Sequence, residues 1–131
     1  MNEAAVDGLV KTASGLLHNQ LALLPIGAAK AMSSLATDNW SVGYTGGMTD
    51  AMLQAKGVSN EDLDAYLVMT LAFSAAYGEK GPYYFGRLMT LQAEQDADVM
   101  AGMKAGGSEF FAWRDRSEVP LGLLGHIENT K

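Results

Sequence analysis

The sequence predicts an all-α fold: a compact bundle of about five helices plus a short C-terminal helical segment, in one domain spanning residues 1–131. Three observations point there. Alanine, leucine and methionine dominate, and there are no Val/Ile runs of period two. Prolines occur only at positions 25, 82 and 120. The 15 glycines read mostly as punctuation between helical stretches.

The first helix is predicted from about Glu3 to Leu24. Val6, Leu9, Val10, Ala13, Leu16, Leu17, Gln20 and Leu24 recur at three- and four-residue spacing and form one apolar stripe. Asp7, Lys11 and His18 fall opposite it, which gives His18 a solvated or helix-capping role. Pro25 ends this helix or opens the next. The second segment, Ile26 to Ala36, is rich in small residues suited to close packing.

Residues 37–47 read as a loop, with Gly43-Tyr44-Thr45-Gly46-Gly47 as a hinge or turn. That stretch lacks the following Lys-Ser/Thr of a phosphate loop. A third helix is expected from Met48 to Lys56, stopped by Gly57. Ser59 and Asp62 have the spacing of a capping box. The fourth helix is expected over about 60–77, stopped at Gly78. It is apolar around its whole circumference beyond Asp64, which places it at the centre of the bundle or across an oligomer interface.

The fifth helix is expected to be the longest, from Pro82 to Ala105, and to end at Gly106-Gly107. Its stripe runs through Phe85, Leu88, Met89, Val99, Met100 and Met103, which sets Gln92 and Asp96 in mid-stripe. A carboxylate among apolar side chains requires a partner or water. Asp96 therefore reads as a point where the stripe meets solvent or a polar seam, an acceptor for helix-end N–H groups, a polar registry element at a helix–helix or subunit interface, or a ligand-binding or catalytic carboxylate. As a registry element alone, it would tolerate Asp96→Leu. Glu94 and Asp98 lie four apart on the other side of the same helix, a weak cation-binding pattern. Ser108 caps a short helix from Glu109 to Arg116, and Pro120 introduces the last segment, Leu121 to Ile127. His126 lies in this apolar tail and reads as buried with one backbone hydrogen bond, or exposed.

Composition narrows the function. Apolar residues make up 48% and charged residues 18%, which excludes disorder as a description of the chain. Fifteen acids against nine bases give a net charge of −6, with no basic stripe, so neither nucleic acid nor an anionic membrane surface is expected as a partner. No cysteine is present, so disulfides, thiolate metal sites and thiol nucleophiles are absent, which fits a cytoplasmic protein. The N-terminus has no basic region of the kind that starts a secretory signal. The longest strongly apolar run, Ala65 to Tyr77, is too short to span a bilayer comfortably.

No catalytic motif, metal-ligand spacing or cofactor fingerprint stands out. The low charge fraction, the fourth helix and the aromatic clusters Trp40/Tyr44, Tyr83-Tyr84-Phe85 and Phe110-Phe111-Trp113 favour a protein that acts by protein–protein interaction, through a homodimer. The alternative is a binding module for a small apolar ligand, held in a Met/aromatic-lined pocket between helices. A third reading, an enzyme using Asp96, Glu94 or His126 as acid or base, has the least support. The candidate ligand or interface residues are Gln92, Asp96, Tyr66, Phe73, Tyr84, Phe111 and Trp113.

Overall fold

A computed structural model describes residues 1–59 and 61–130. These residues form seven α-helices and no strand: α1 (Glu3–Leu21), α2 (Ala28–Ser34), α3 (Asn39–Ala55), α4 (Leu63–Tyr77), α5 (Gly81–Ala93), α6 (Ala97–Arg116) and α7 (Gly122–Asn129), with a 3-10 turn at Gly78–Lys80. The all-α bundle is as the composition and periodicity predict.

Helix α1 buries its expected stripe, and Asn2 caps it by accepting the Ala5 N–H at 2.8 Å. It ends at Leu21, short of Leu24, because the residue before a proline is pushed out of the helical region. Gly27, at φ +84°, then opens α2. Gly57 and Gly78 stop α3 and α4 as expected, both with positive φ. After α3 the Val58 and Gly57 N–H groups bond back to Leu53 and Gln54, a Schellman ending. The capping box does not form: the Ser59 hydroxyl takes the Glu61 N–H, and α4 starts from Asp62 with no side-chain cap. Asn60, where the fourth helix was expected to begin, lies outside the described residues.

Two expectations are overturned. Residues 37–47 are not a loop: α3 begins at Asn39, capped by Asp38, whose Oδ1 accepts the Ser41 N–H at 2.8 Å. Gly106-Gly107 do not end a helix either, since α6 runs through them to Arg116. One cause explains both. Gly43 and Gly47 of α3 face Gly102 and Gly106 of α6 across the most extensive helix pair in the molecule. A Cβ at Gly43 or Gly47 would strike the carbonyl oxygen of Val99 or Met103. One at Gly102 or Gly106 would strike that of Trp40 or Tyr44. The glycines let two backbones meet directly, and that packing outweighs the ~1 kcal/mol each costs in intrinsic helix propensity.

The enclosed helix is consequently α3, not the fourth. Every residue from Ser41 to Thr49 is buried, and α3 touches α1, α4, α5, α6 and α7. Helix α4 buries Val68, Ala72, Phe73, Ala76 and Tyr77 against its neighbours but turns a second apolar strip outward.

The expected fifth helix is two helices. Gln95 sits at φ +56°, the Gln95 and Asp96 N–H groups bond back to Gln92 and Leu91, and the chain turns. Asp96 then starts α6, with Oδ2 accepting the Val99 N–H at 3.0 Å. It is a helix cap, and the same oxygen accepts the Asn39 amide of α3 at 3.5 Å, so Asp96→Leu should not be silent. Thermal or denaturant unfolding of Asp96→Ala should show a loss of about 1 kcal/mol, most of it restored by Asp96→Asn. Glu94 and Asp98 end up on opposite sides of this turn and share no helix face.

Candidate functional site: the outer α4–α5 surface

The α4–α5 hairpin carries four charged residues between 63 and 93: Asp64, which pairs with the Met1 amine at 3.2 Å, then Glu79, Lys80 and Arg87. Glu79 and Lys80 lie in the turn. Arg87 is engaged inward, donating to the Thr37 carbonyl at 2.9 Å and to the Asn39 side-chain oxygen. The remaining outward positions are uncharged. On α4 they are Leu63, Tyr66, Leu67, Thr70, Leu71 and Ala75. On α5 they include Tyr83, Met89, Thr90 and Gln92. Tyr66 is 56% exposed, Leu67 45% and Leu71 40%. Helical spacing explains the strip: positions 63, 67 and 71 stack on one line, while 65, 68, 72 and 76 face the core.

Both flanks of this strip are concave. Towards α1 lies a shallow groove with Val6, Val10 and Leu71 at its base and Asn2, Glu3 and Asp7 along its edge. Towards α5 lies a deeper cavity of about 230 Å³, enclosed by α3, α4, α5 and α6. Its walls include Leu53, Met69, Phe85, Leu88 and Met103, with Tyr66, Met89 and Gln92 at the rim. The Tyr66 and Phe85 rings pack 5.4 Å apart. Asp50 of α3 is the one charged side chain in its lining.

The sequence-derived candidates separate into four places. Tyr66 and Gln92 meet at the cavity. Phe73 is fully buried and Tyr84 nearly so, within a chain of rings that includes Tyr77 and Phe85, so both belong to the core and present no surface. Asp96 is the α6 cap and does not line the cavity. Phe111 and Trp113 lie about two turns beyond Met103 on α6. There Arg114 covers the Phe111 ring at 4.9 Å, and Trp113 packs 5.8 Å from Phe110.

Two polar clusters elsewhere in the molecule had little signal in the sequence, because their members are far apart along the chain. The N-terminus of α7 has no cap of its own. Instead Glu109 accepts the Leu121 and Gly122 N–H groups at 3.1 and 2.8 Å, and the Gln20 side-chain oxygen accepts those of Leu123 and Leu124 at 2.9 and 3.3 Å. Tyr44 joins them, receiving the Gln20 amide at 2.9 Å and donating to Glu109 at 2.8 Å. Burial, then the adjacent Glu109 carboxylate, push the Tyr44 phenol well above its ordinary pKa, so it stays a donor.

His126 has a carboxylate partner, not the backbone bond expected of it. Its Nε2 lies 2.8 Å from Asp38, and its ring stacks on Trp40 at 4.2 Å. Burial opposes ionisation of Asp38, but the Ser41 N–H and His126 more than offset it and hold the carboxyl below its usual pKa. His18 bonds the Ala76 carbonyl at 2.9 Å, in the last turn of α4. These contacts tie helix ends together.

Among the described residues, no group of three or more His, Cys, Asp or Glu side chains could hold a metal ion, and no helix is long and apolar enough to cross a membrane. Comparison with protein families, with curated proteins and with solved structures finds no match to the chain.

Proposed function

We propose that this protein acts through protein–protein contact, and that its primary partner is a second copy of itself bound through the outer face of α4. The observation that carries this is the uncharged, exposed Leu63–Leu67–Leu71 strip, with exposed Tyr66 and half-buried Thr70 beside it, along the first nine residues of the helix. An exposed apolar surface of this kind is unfavourable unless something covers it. Charge favours a like copy. Each chain carries a net charge of −6, so two copies repel through most of their surfaces, and the α4 strip is a place where they meet with few like charges between them, Glu3 and Asp7 lying at the edge of the α1 groove.

A two-fold pairing uses the same patch on both partners. Antiparallel α4 helices bring Leu67 of each copy against Leu71 of the other, with the α1 groove receiving the flanking side chains. From Leu63 to Leu71 the strip is about 12 Å long and one to two helices wide, well below the ~800 Å² per partner of tight complexes, so the pairing is weak, of micromolar strength at best. Sedimentation velocity from about 1 to about 200 µM should show a monomer–dimer equilibrium for the native protein. Leu71→Glu should stay monomeric throughout with an unchanged far-UV spectrum. A native protein that stays monomeric over that range would refute the reading.

A further inference from the structure

The cavity between α3, α4, α5 and α6 adjoins the strip that pairs with a second copy, sharing Tyr66 with it, and its chemistry specifies a ligand. Its volume of about 230 Å³ exceeds the ~150 Å³ that accommodates benzene in an apolar protein cavity, leaving room for a ring and a short arm. The walls are soft and apolar: Met69 and Met103 deform to fit a small body, and Leu53 and Leu88 close the floor. Tyr66 and Phe85 offer two aromatic rings.

Against this apolar lining stands Asp50. It is half-buried, accepts one hydrogen bond from the Gln54 amide at 2.7 Å, and forms no ion pair among the described residues. A partly buried carboxylate without a cation is a costly element of a stable fold and a favourable one for a positive ligand. At the rim the Gln92 amide and the Tyr66 hydroxyl make no hydrogen bond within the described chain, which leaves both free for a ligand.

We infer that this cavity binds a small primary amine in its protonated form, with the ammonium on Asp50 and an aryl or short alkyl body among Met69, Phe85 and Met103. The Tyr66 and Phe85 rings offer the ligand's body stacking and edge contacts in addition to the ion pair. A neutral ligand of the same shape would gain the apolar contacts only, and an anion would meet Asp50 unfavourably.

The test uses benzylamine, benzyl alcohol and phenylacetate, titrated at neutral pH into methyl-labelled full-length protein and followed by NMR of the methionine methyl groups. Benzylamine should shift the Met69, Met89 and Met103 methyls and bind about tenfold more tightly than benzyl alcohol, with phenylacetate weakest. Asp50→Asn, which keeps the shape and the bond to Gln54, should bring benzylamine down to the level of benzyl alcohol and leave the alcohol unchanged. The same ranking in Leu71→Glu separates this site from self-association. Equal binding of all three probes, retention of the amine preference in Asp50→Asn, or no shift of the three methyls would each overturn the assignment.

Discussion

Gly102→Ala should lower stability by about 3 kcal/mol or more, a large share of the 5–15 kcal/mol that holds a typical domain together. The added methyl would land on the Trp40 carbonyl oxygen and beside the Tyr44 backbone. Backbone cannot rotate aside as a side chain can, so α3 and α6 must separate along the seam they share. The separation loosens contacts at Val99 and Phe110 as well. Overpacking a well-filled interior costs about 1–3 kcal/mol even where side chains can give. Against this stands a gain of up to about 1 kcal/mol in helix propensity. Gly15→Ala supplies the control: it is also helical, but nothing lies within 4 Å of its added methyl. That variant should be more stable than the native protein by up to about 1 kcal/mol. Thermal unfolding of the pair reads both signs. A Gly102→Ala protein that melts with the native one would mean that the two backbones are not in contact.

Glu109→Ala should cost about 2–3 kcal/mol and release α7. The carboxylate is the acceptor for two N–H groups at a helix start and for the Tyr44 hydroxyl. Each polar group left without a partner costs about 1–3 kcal/mol, reduced here because Glu109 is half-exposed and water can enter. The negative charge at the α7 N-terminus also contributes, so Glu109→Gln should recover part of the loss and not all of it. Amide hydrogen exchange gives the specific signature. Leu121, Gly122, Leu123 and Leu124 should lose protection well before the α3–α6 pair. A Glu109→Ala protein with native exchange at these four amides would show that α7 is held by Leu123 and Ile127 packing alone.

The fold was legible where sequence pattern and local physics coincide. The stripe of α1 has the helical period, and Gly57 and Gly78 stop their helices at positive φ. It was illegible where a residue serves a distant partner. Glycine lowers helix propensity wherever it stands, so Gly43-Tyr44-Thr45-Gly46-Gly47 reads as a loop until α6 is seen to need the space. A signal did exist: Gly43/Gly47 and Gly102/Gly106 share one four-residue spacing, the pattern that lets helices approach closely. The break at Gln95 had no such signal, because the apolar stripe continues across it and glutamine is an uncommon residue at positive φ. The outward strip of α4 was foreseen in part, as a helix too apolar to have a solvent face. Asp50 was not foreseen, since a lone acid on a helix is ordinary until Tyr66, Met69 and Phe85 are brought round it.

Self-association through α4 can be followed in amide NMR spectra of the uniformly labelled native protein over a dilution series. Shifts should move with concentration at Tyr66, Leu67, Thr70, Leu71 and Ala75, with smaller movements along the facing edge of α1. Amides of α6 and α7 should stay fixed. Shifts that follow concentration at Trp113, Val119 and Leu121, with α4 unmoved, would contradict it.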